Sequence, residues 1–211
     1  ANIDEYRHSD DEIPIESRPE MDRWILSELN HLIKTVEAGY ENYEPTIAGR
    51  LIEKFVVDKL SNWYVRLNRR RFWKGEKGDD KTAAYQTLFS CLETVAKLAA
   101  PIAPFYCEKL FRDLNSKLKT QNSKTLSVHL SDFPKYDDSL INIDLQEKME
   151  IAQTLSSMVL GLRKKEKIRV RQPLQKMLVP AINTDFVKKL NILLENLNEN
   201  DLLSLILLIK K

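Results

Sequence analysis

Apolar residues recur every three or four positions through most of this chain, and that period predicts helices. Met21, Trp24, Ile25, Leu29, Leu32, Ile33, Val36 and Tyr40 form one stripe after Ser17-Arg18-Pro19-Glu20, where Ser17 reads as the N-cap and Pro19 falls near the first turn. Glu44-Pro45-Thr46 breaks that helix and opens a second, with Ile47, Leu51, Ile52, Phe55, Val56, Leu60, Trp63 and Leu67 on its apolar side. Gly75-Glu76-Lys77-Gly78 is a loop signal. A third helix starts near Asp79 or Asp80 and turns Tyr85, Leu88, Phe89, Leu92, Val95 and Leu98 inward. Pro101 and Pro104 interrupt or restart it, and Phe105, Leu110, Phe111 and Leu114 carry the pattern to about Leu118. Four helices of roughly 15–25 residues joined by short loops specify an antiparallel bundle.

The flanking regions follow other patterns. Residues 1–16 are acidic and aperiodic and read as a connector; the chain opens Ala1-Asn2-Ile3 without a methionine, as a fragment or processed product would. Lys119–Lys124 is a polar loop, and Val128-His129-Leu130 a short extended segment. A helix from about Leu145 to Lys165 carries Leu145, Met149, Ala152, Leu155, Val159 and Leu162. Ile168-Arg169-Val170-Arg171 then alternates apolar and basic residues like a half-buried strand, Gln172-Pro173 turns the chain, and Met177-Leu178-Val179 offers a second strand. The predicted fold class is mainly α: an antiparallel helical bundle over residues 17–140, followed by a small helix-plus-β-hairpin subdomain over 141–211. The Asn/Leu-rich tail from Asn191 onward is helix-like but ambiguous, and no internal repeat is visible.

One stretch of the second helix departs from an ordinary bundle surface. From Asn62 to Trp73 the chain holds four arginines and four aromatic residues. At about 100° per residue, Val56, Leu60, Trp63 and Leu67 share one arc, which assigns Trp63 to the core. Asn62, Arg66, Arg69 and Trp73 fall on another arc, with Arg70 between the two. Arg71 projects toward the core side, where an acidic residue or a helix C-terminus is its expected partner. Guanidinium groups suit phosphate and indole suits exposed bases, so the second arc is a candidate RNA surface. Trp73 is equally readable as a residue that closes the bundle.

Charge sharpens this picture. The formal net charge is only +2, but residues 54–77 hold eight Lys/Arg against Asp58 and Glu76, a net of +6. Residues 163–176 hold seven against Glu166, again +6, which leaves −10 on the rest of the chain. Two basic segments on an acidic background form the footprint of a polyanion binder, although charge runs are also ordinary solvated faces. The candidate RNA-binding residues are therefore Asn62, Arg66, Arg69, Arg70, Trp73 and Lys74, with Arg169 and Arg171 from the second segment. The bland alternative for Arg169 and Arg171 is the outward face of a strand.

The remaining composition excludes more than it suggests. At 211 residues, 43% hydrophobic and 30% charged, the chain has the make-up of a soluble globular protein with one real core or two small ones. Cys91 and Cys107 sit in apolar helical patterns and read as buried free thiols of a reducing compartment. His8, His31 and His129 offer no metal-ligand spacing, and no CxxC pair occurs. There is no signal peptide, and the apolar run Leu202–Ile209 is too short to span a bilayer. Gly75 and Gly78 lack the Lys-Ser/Thr of a phosphate loop, and no GxSxG or activated-thiolate context is present. From the residues alone, this is a helical binding module without catalytic machinery.

Several strings resemble the isoleucyl branch of the class I aminoacyl-tRNA synthetases. Arg18-Pro19-Glu20-Met21-Asp22-Arg23-Trp24-Ile25-Leu26-Ser27 is similar to the opening helix of that family's anticodon-binding domain. Leu60-Ser61-Asn62-Trp63-Tyr64-Val65-Arg66 follows the pattern that valine and leucine enzymes share, and Arg69-Arg70-Arg71-Phe72-Trp73 looks like the isoleucine branch. Ala100-Pro101-Ile102-Ala103-Pro104-Phe105, Ser127-Val128-His129-Leu130-Ser131-Asp132-Phe133-Pro134 and Val170-Arg171-Gln172-Pro173-Leu174 extend the match to about Pro180; Asn191–Lys211 does not align.

The resemblance implies a class I synthetase anticodon-binding bundle whose parent joins isoleucine to its tRNA with ATP and magnesium, zinc being left open. It implies isoleucine tRNA, through its anticodon region, and the parent's catalytic domain as partners, a cytoplasmic location and no membrane. The family's His-Ile-Gly-His and Lys-Met-Ser-Lys-Ser type strings are absent from these residues, so the fragment is expected to hold tRNA with no cofactor of its own and to be inactive alone. The alternatives are a bundle that docks an acidic protein, or the equivalent domain of a valyl or leucyl enzyme.

Overall fold

The computed structural model describes residues 12–73, 78–115, 127–170 and 172, and divides the chain into two compact units, Ala1–Asn142 and Ile143–Lys211. In the first unit, α1 spans Glu20–Glu41 and α2 spans Pro45–Lys54. A π-helical stretch, Phe55–Val65, continues α2 and leads to the short α3, Arg69–Trp73. Then follow α4, Asp79–Ala99, and α5, Pro104–Asn115. Proline sits at the first turn of α2 and α5, where its missing N–H costs nothing and its fixed φ suits the helix.

Paired positions give the helix directions. A Cβ at Gly39 would lie 3.6 Å from that of Ala48. Midway along, Glu28 pairs with Lys59, and at the far end Asp22 accepts from the Tyr64 hydroxyl at 2.7 Å. The rod from α2 to α3 therefore runs antiparallel to α1. Asp80 pairs with Arg71 and Phe72 packs on Tyr85, so α4 reverses again. Between α4 and α5, Ala96, Ala100, Cys107 and Phe111 form a cluster that Val128 joins. The unit is the expected antiparallel bundle.

The α1 stripe is buried as its period predicts: Trp24, Ile25, Leu29, Leu32, Ile33 and Val36 are all in the core. Tyr40 is half-buried, and its hydroxyl donates to the Leu98 carbonyl at 2.8 Å. The helix ends in a Schellman turn: Tyr43 has φ 57°, and the Glu44 amide donates to the Gly39 carbonyl at 2.8 Å. Cys91 and Cys107 are free and buried, and burial pushes both thiols above their ordinary pKa.

Several local expectations are corrected. Ser17 is not the N-cap of α1; its hydroxyl donates to the Pro14 carbonyl at 2.8 Å within a 3-10 turn, and the helix starts at Glu20 behind Pro19. The following Arg18 is buried and pins this lead-in to α4, donating to Thr87 Oγ1 at 3.0 Å and to the Ile13 carbonyl at 2.9 Å. Val128–Leu130 is a 3-10 turn, not an extended segment, because the Ser127 hydroxyl accepts from the His129 amide and caps it. Phe105, counted among the inward residues, is 90% exposed, and Cys107 and Phe111 fill that role in α5. On α4, Leu88, Phe89 and Leu92 are half-buried, while Ala83, Ala84 and Thr87 are fully covered, so this face is packed closely by small side chains.

The second unit begins with α6, Ile143–Lys165, whose buried residues include Ala152 and Leu155, while Leu162 is exposed. The predicted strand at Ile168–Arg171 does not form over its described residues. After α6 the chain folds back in a second Schellman turn: Lys167 has φ 54°, and the Ile168 amide donates to the Arg163 carbonyl at 2.8 Å. The carbonyls of Arg169 and Gln172, which a ladder would need, instead accept from Arg163 Nη1 at 2.8 and 2.9 Å. Among the described residues there is no strand. Arg171, the predicted strand Met177–Val179, the loop Lys119–Lys124 and the tail from Asn191 lie outside the described residues. Among the described residues, no helix is long and apolar enough to cross a membrane.

Candidate nucleic-acid interface

The arginine-rich stretch is built on a change of helical winding. Through Phe55–Val65 the backbone bonds skip five residues, as when the Arg66 amide donates to the Ser61 carbonyl. A π-turn holds more residues than an α-turn, so each residue rotates the chain by less than 100°. Inward positions accordingly recur as Phe55, Leu60, Tyr64 and then Asn68, all of them buried. This corrects the core assignment of Trp63. It is only half-buried, as are Val56 and Leu67, and the neighbouring Tyr64 is 0% exposed in its place.

What faces inward is tied tightly. Arg71 forms a fork on Asp22, with Nη1 to Oδ1 at 2.7 Å and Nη2 to Oδ2 at 2.9 Å. Its Nε donates to Asp80 Oδ2 at 3.0 Å and its Nη1 also reaches Asn68 Oδ1 at 3.0 Å. Burial opposes the charge on Arg71, but Asp22 and Asp80 outweigh it and hold its pKa above the ordinary arginine value. For Tyr64, burial and then the Asp22 charge push the phenol pKa well up. Phe72 stands at a tilted 5.5 Å from the Tyr85 ring, and the Tyr85 hydroxyl donates to the Phe72 carbonyl at 3.2 Å. The inward direction expected for Arg71, with an acidic partner, is what the structure shows. Asp22 was missed as a functional element, although one signal was available: an acidic residue three positions before Ile25 on an otherwise apolar stripe.

What faces outward is free. Asn62, Arg66, Arg69, Arg70 and Trp73 are all exposed, Trp73 by 71%. The Arg69 guanidinium lies 5.7 Å from the centre of the Trp73 ring, a cation–π pair. Among the described residues Arg66 and Arg70 have no carboxylate partner, and both are exposed. Phe72, not Trp73, closes this end of the bundle. The result is a run of exposed guanidinium groups, without carboxylate partners among the described residues, that ends on an exposed indole and can neutralise phosphates and stack on an unpaired base. Lys74 lies outside the described residues. Arg169 is exposed in the second unit, and its carbonyl is engaged by Arg163.

Comparison with known proteins fits this geometry. The family described as the anticodon-binding domain of tRNA ligase matches residues 22–178. The chain belongs to that family. Among curated relatives, the isoleucine–tRNA ligase of Cytophaga hutchinsonii is 57% identical over 182 residues, covering 86% of this chain and 16% of the relative. That of Bacteroides thetaiotaomicron is 54% identical over 185 residues, 88% of this chain and 16% of the relative. That of Dehalococcoides mccartyi is 46% identical over 202 residues, 94% of this chain and 20% of the relative. The chain thus spans about one sixth of the length of the first two. An anticodon-binding domain needs a surface for both backbone and exposed bases, and the outward side of the α2–α3 rod offers both.

Proposed function

We propose that this chain is the tRNA-holding part of an isoleucine–tRNA ligase and binds the anticodon stem and loop of isoleucine tRNA through Asn62, Arg66, Arg69, Arg70 and Trp73. The observation that carries the reading is the unpaired arginine row beside an exposed, cation-backed tryptophan. An acidic protein would use the arginines, but it gives no reason for a bare indole next to them. Lys74, Arg169 and Arg171 are assigned to the same work as phosphate contacts. The proposal places ligation of isoleucine with ATP and magnesium, zinc being left open, in the rest of the ligase, which is also this domain's protein partner. This chain then does no chemistry alone. Family membership, together with free buried thiols, supports a cytoplasmic setting.

Competition among purified isoleucine, valine and leucine tRNAs for the 211-residue chain tests the assignment, with isoleucine tRNA expected to win. The double reversal Arg69→Glu/Arg70→Glu should weaken binding by about tenfold or more and flatten the salt dependence by roughly two phosphate contacts. It should leave stability within about 0.5 kcal/mol, since both side chains are at the surface. Unchanged affinity in a folded double variant removes this surface from the interface.

A further inference from the structure

The helix that carries Arg69, Arg70 and Trp73 is five residues long and has no fully buried residue. The Asn68 amide donates to the Tyr64 carbonyl and the Arg71 and Phe72 amides to the Asn68 carbonyl, which joins it to the preceding turn. A helix that short gains little hold from such bonds, so its aim depends also on what its inward side touches. That side is Arg71 and Phe72. Arg71 bridges Asp22 at the start of α1 and Asp80 at the start of α4. Asn68 prepares the junction: its side chain donates to the Tyr64 carbonyl at 2.9 Å and accepts from Arg71. The Tyr64 hydroxyl completes the coordination of Asp22 Oδ1 at 2.7 Å.

We propose that Asp22, Tyr64, Asn68, Arg71 and Asp80 form a lock that fixes both the direction and the rotation of α3, and so aims Arg69, Arg70 and Trp73 outward as one platform. They are positioning residues and do not touch RNA. The physical reason lies in the choice of groups. A buried ion pair is a poor way to gain bulk stability, because taking both charges out of water cancels much of their attraction. A bidentate guanidinium–carboxylate fork, however, constrains angles that an apolar contact leaves loose. The π-winding is part of the device, because it brings Tyr64 onto the inward line of Phe55 and Leu60, where its hydroxyl meets Asp22.

The consequence for binding rests on the RNA reading above, but the lock has a readout that needs no RNA. The chain contains three tryptophans, so 5-fluorotryptophan labelling gives three fluorine resonances, and Trp73→Phe assigns one of them. In Arg71→Lys, which keeps the charge and loses the fork, the Trp73 resonance should shift or broaden, while that of the core residue Trp24 stays put. Affinity for a synthetic anticodon stem-loop should fall about tenfold. Asp80→Ala removes the exposed carboxylate of the lock, leaving the Asp80 main-chain carbonyl that also accepts from Arg71 Nη2 at 2.8 Å, and should give a smaller change of the same kind; it decides the matter if Arg71→Lys fails to fold. An unmoved Trp73 resonance in a folded variant overturns the lock, whether or not RNA binding falls, since a fall alone would mean that Arg71 touches RNA. A moved resonance in a chain whose native form binds no stem-loop would uphold the lock and sink the RNA reading.

Discussion

Residues 54–77 and 163–176 carry the same net charge of +6, yet the inward arginine of each, Arg71 and Arg163, is held by a different kind of partner. In the first segment the guanidinium groups sort by side: Arg71 is spent on Asp22 and Asp80, while Arg66, Arg69 and Arg70 stay free at the surface. In the second, Arg163 is 2% exposed, and its partners are main-chain carbonyls of Arg169, Val170 and Gln172. It ties down the turn that ends α6. Charge density in a sequence therefore announces neither a ligand nor a joint; the partner of each guanidinium decides. The first segment also has an aromatic face beside its free charges, and no described residue of the second offers one.

The inner joint of the first segment should give the largest effect. Asp22 is 0% exposed, and Asp22→Ala leaves the Arg71 guanidinium without its fork and the Tyr64 hydroxyl without its acceptor. Removing one partner of such a buried pair costs about 3–5 kcal/mol, which urea denaturation of the first unit would register. A loss below about 1 kcal/mol would mean that water replaces the carboxylate and that this joint is as superficial as the outward row.

The joint of the second segment should come next. Arg163→Met keeps most of the volume and removes the charge-assisted donor to three carbonyls. The expected cost is about 2 kcal/mol, confined to the second unit and visible as lost amide protection at the end of α6. The salt slope of RNA binding should not change, because the buried guanidinium is not available to phosphate. A reduced slope would erase the contrast between the two segments.

How far the sequence reveals these joints depends on the range of the forces involved. Helix starts at Pro45, Asp79 and Pro104 were legible because proline geometry and apolar spacing act locally. So was the inward direction of Arg71. The identity of the inward aromatic was not. A phase of 100° per residue chose Trp63, and the π-winding that substitutes Tyr64 is stabilised through Asp22, 42 residues away in sequence. The misread strand has the same cause. Four alternating residues look like a pleat, but Arg163 claims the carbonyls of Arg169 and Val170, and nothing within Ile168–Arg171 signals that competition. The exposure of Arg66, Arg69 and Arg70 was legible because long charged side chains avoid burial unless paired.

The smallest effect separates joints made on carboxylates from the joint made on carbonyls. On α5, Glu108 accepts from the Ser127 hydroxyl and the Val128 amide, each at 2.9 Å, and from Arg112 Nε at 2.6 Å. Partial burial pushes its pKa up, but those three hydrogen bonds outweigh it and hold the carboxyl below its ordinary value of 4.5. The unfolded chain therefore takes up this proton more readily than the folded one. The stabilisation is complete above the ordinary value and is lost as pH falls through the lowered folded value. The Arg163 joint is made on main-chain carbonyls, which do not ionise. With intrinsic rates corrected, hydrogen exchange at the Val128 amide should accelerate as the solution is acidified below pH 4.5, while the Ile168 amide, bonded to the Arg163 carbonyl, keeps its protection. In Glu108→Gln the acid response at Val128 should vanish. Parallel loss at both amides would show general acid unfolding instead, and the distinction between the two kinds of joint would fail at that point.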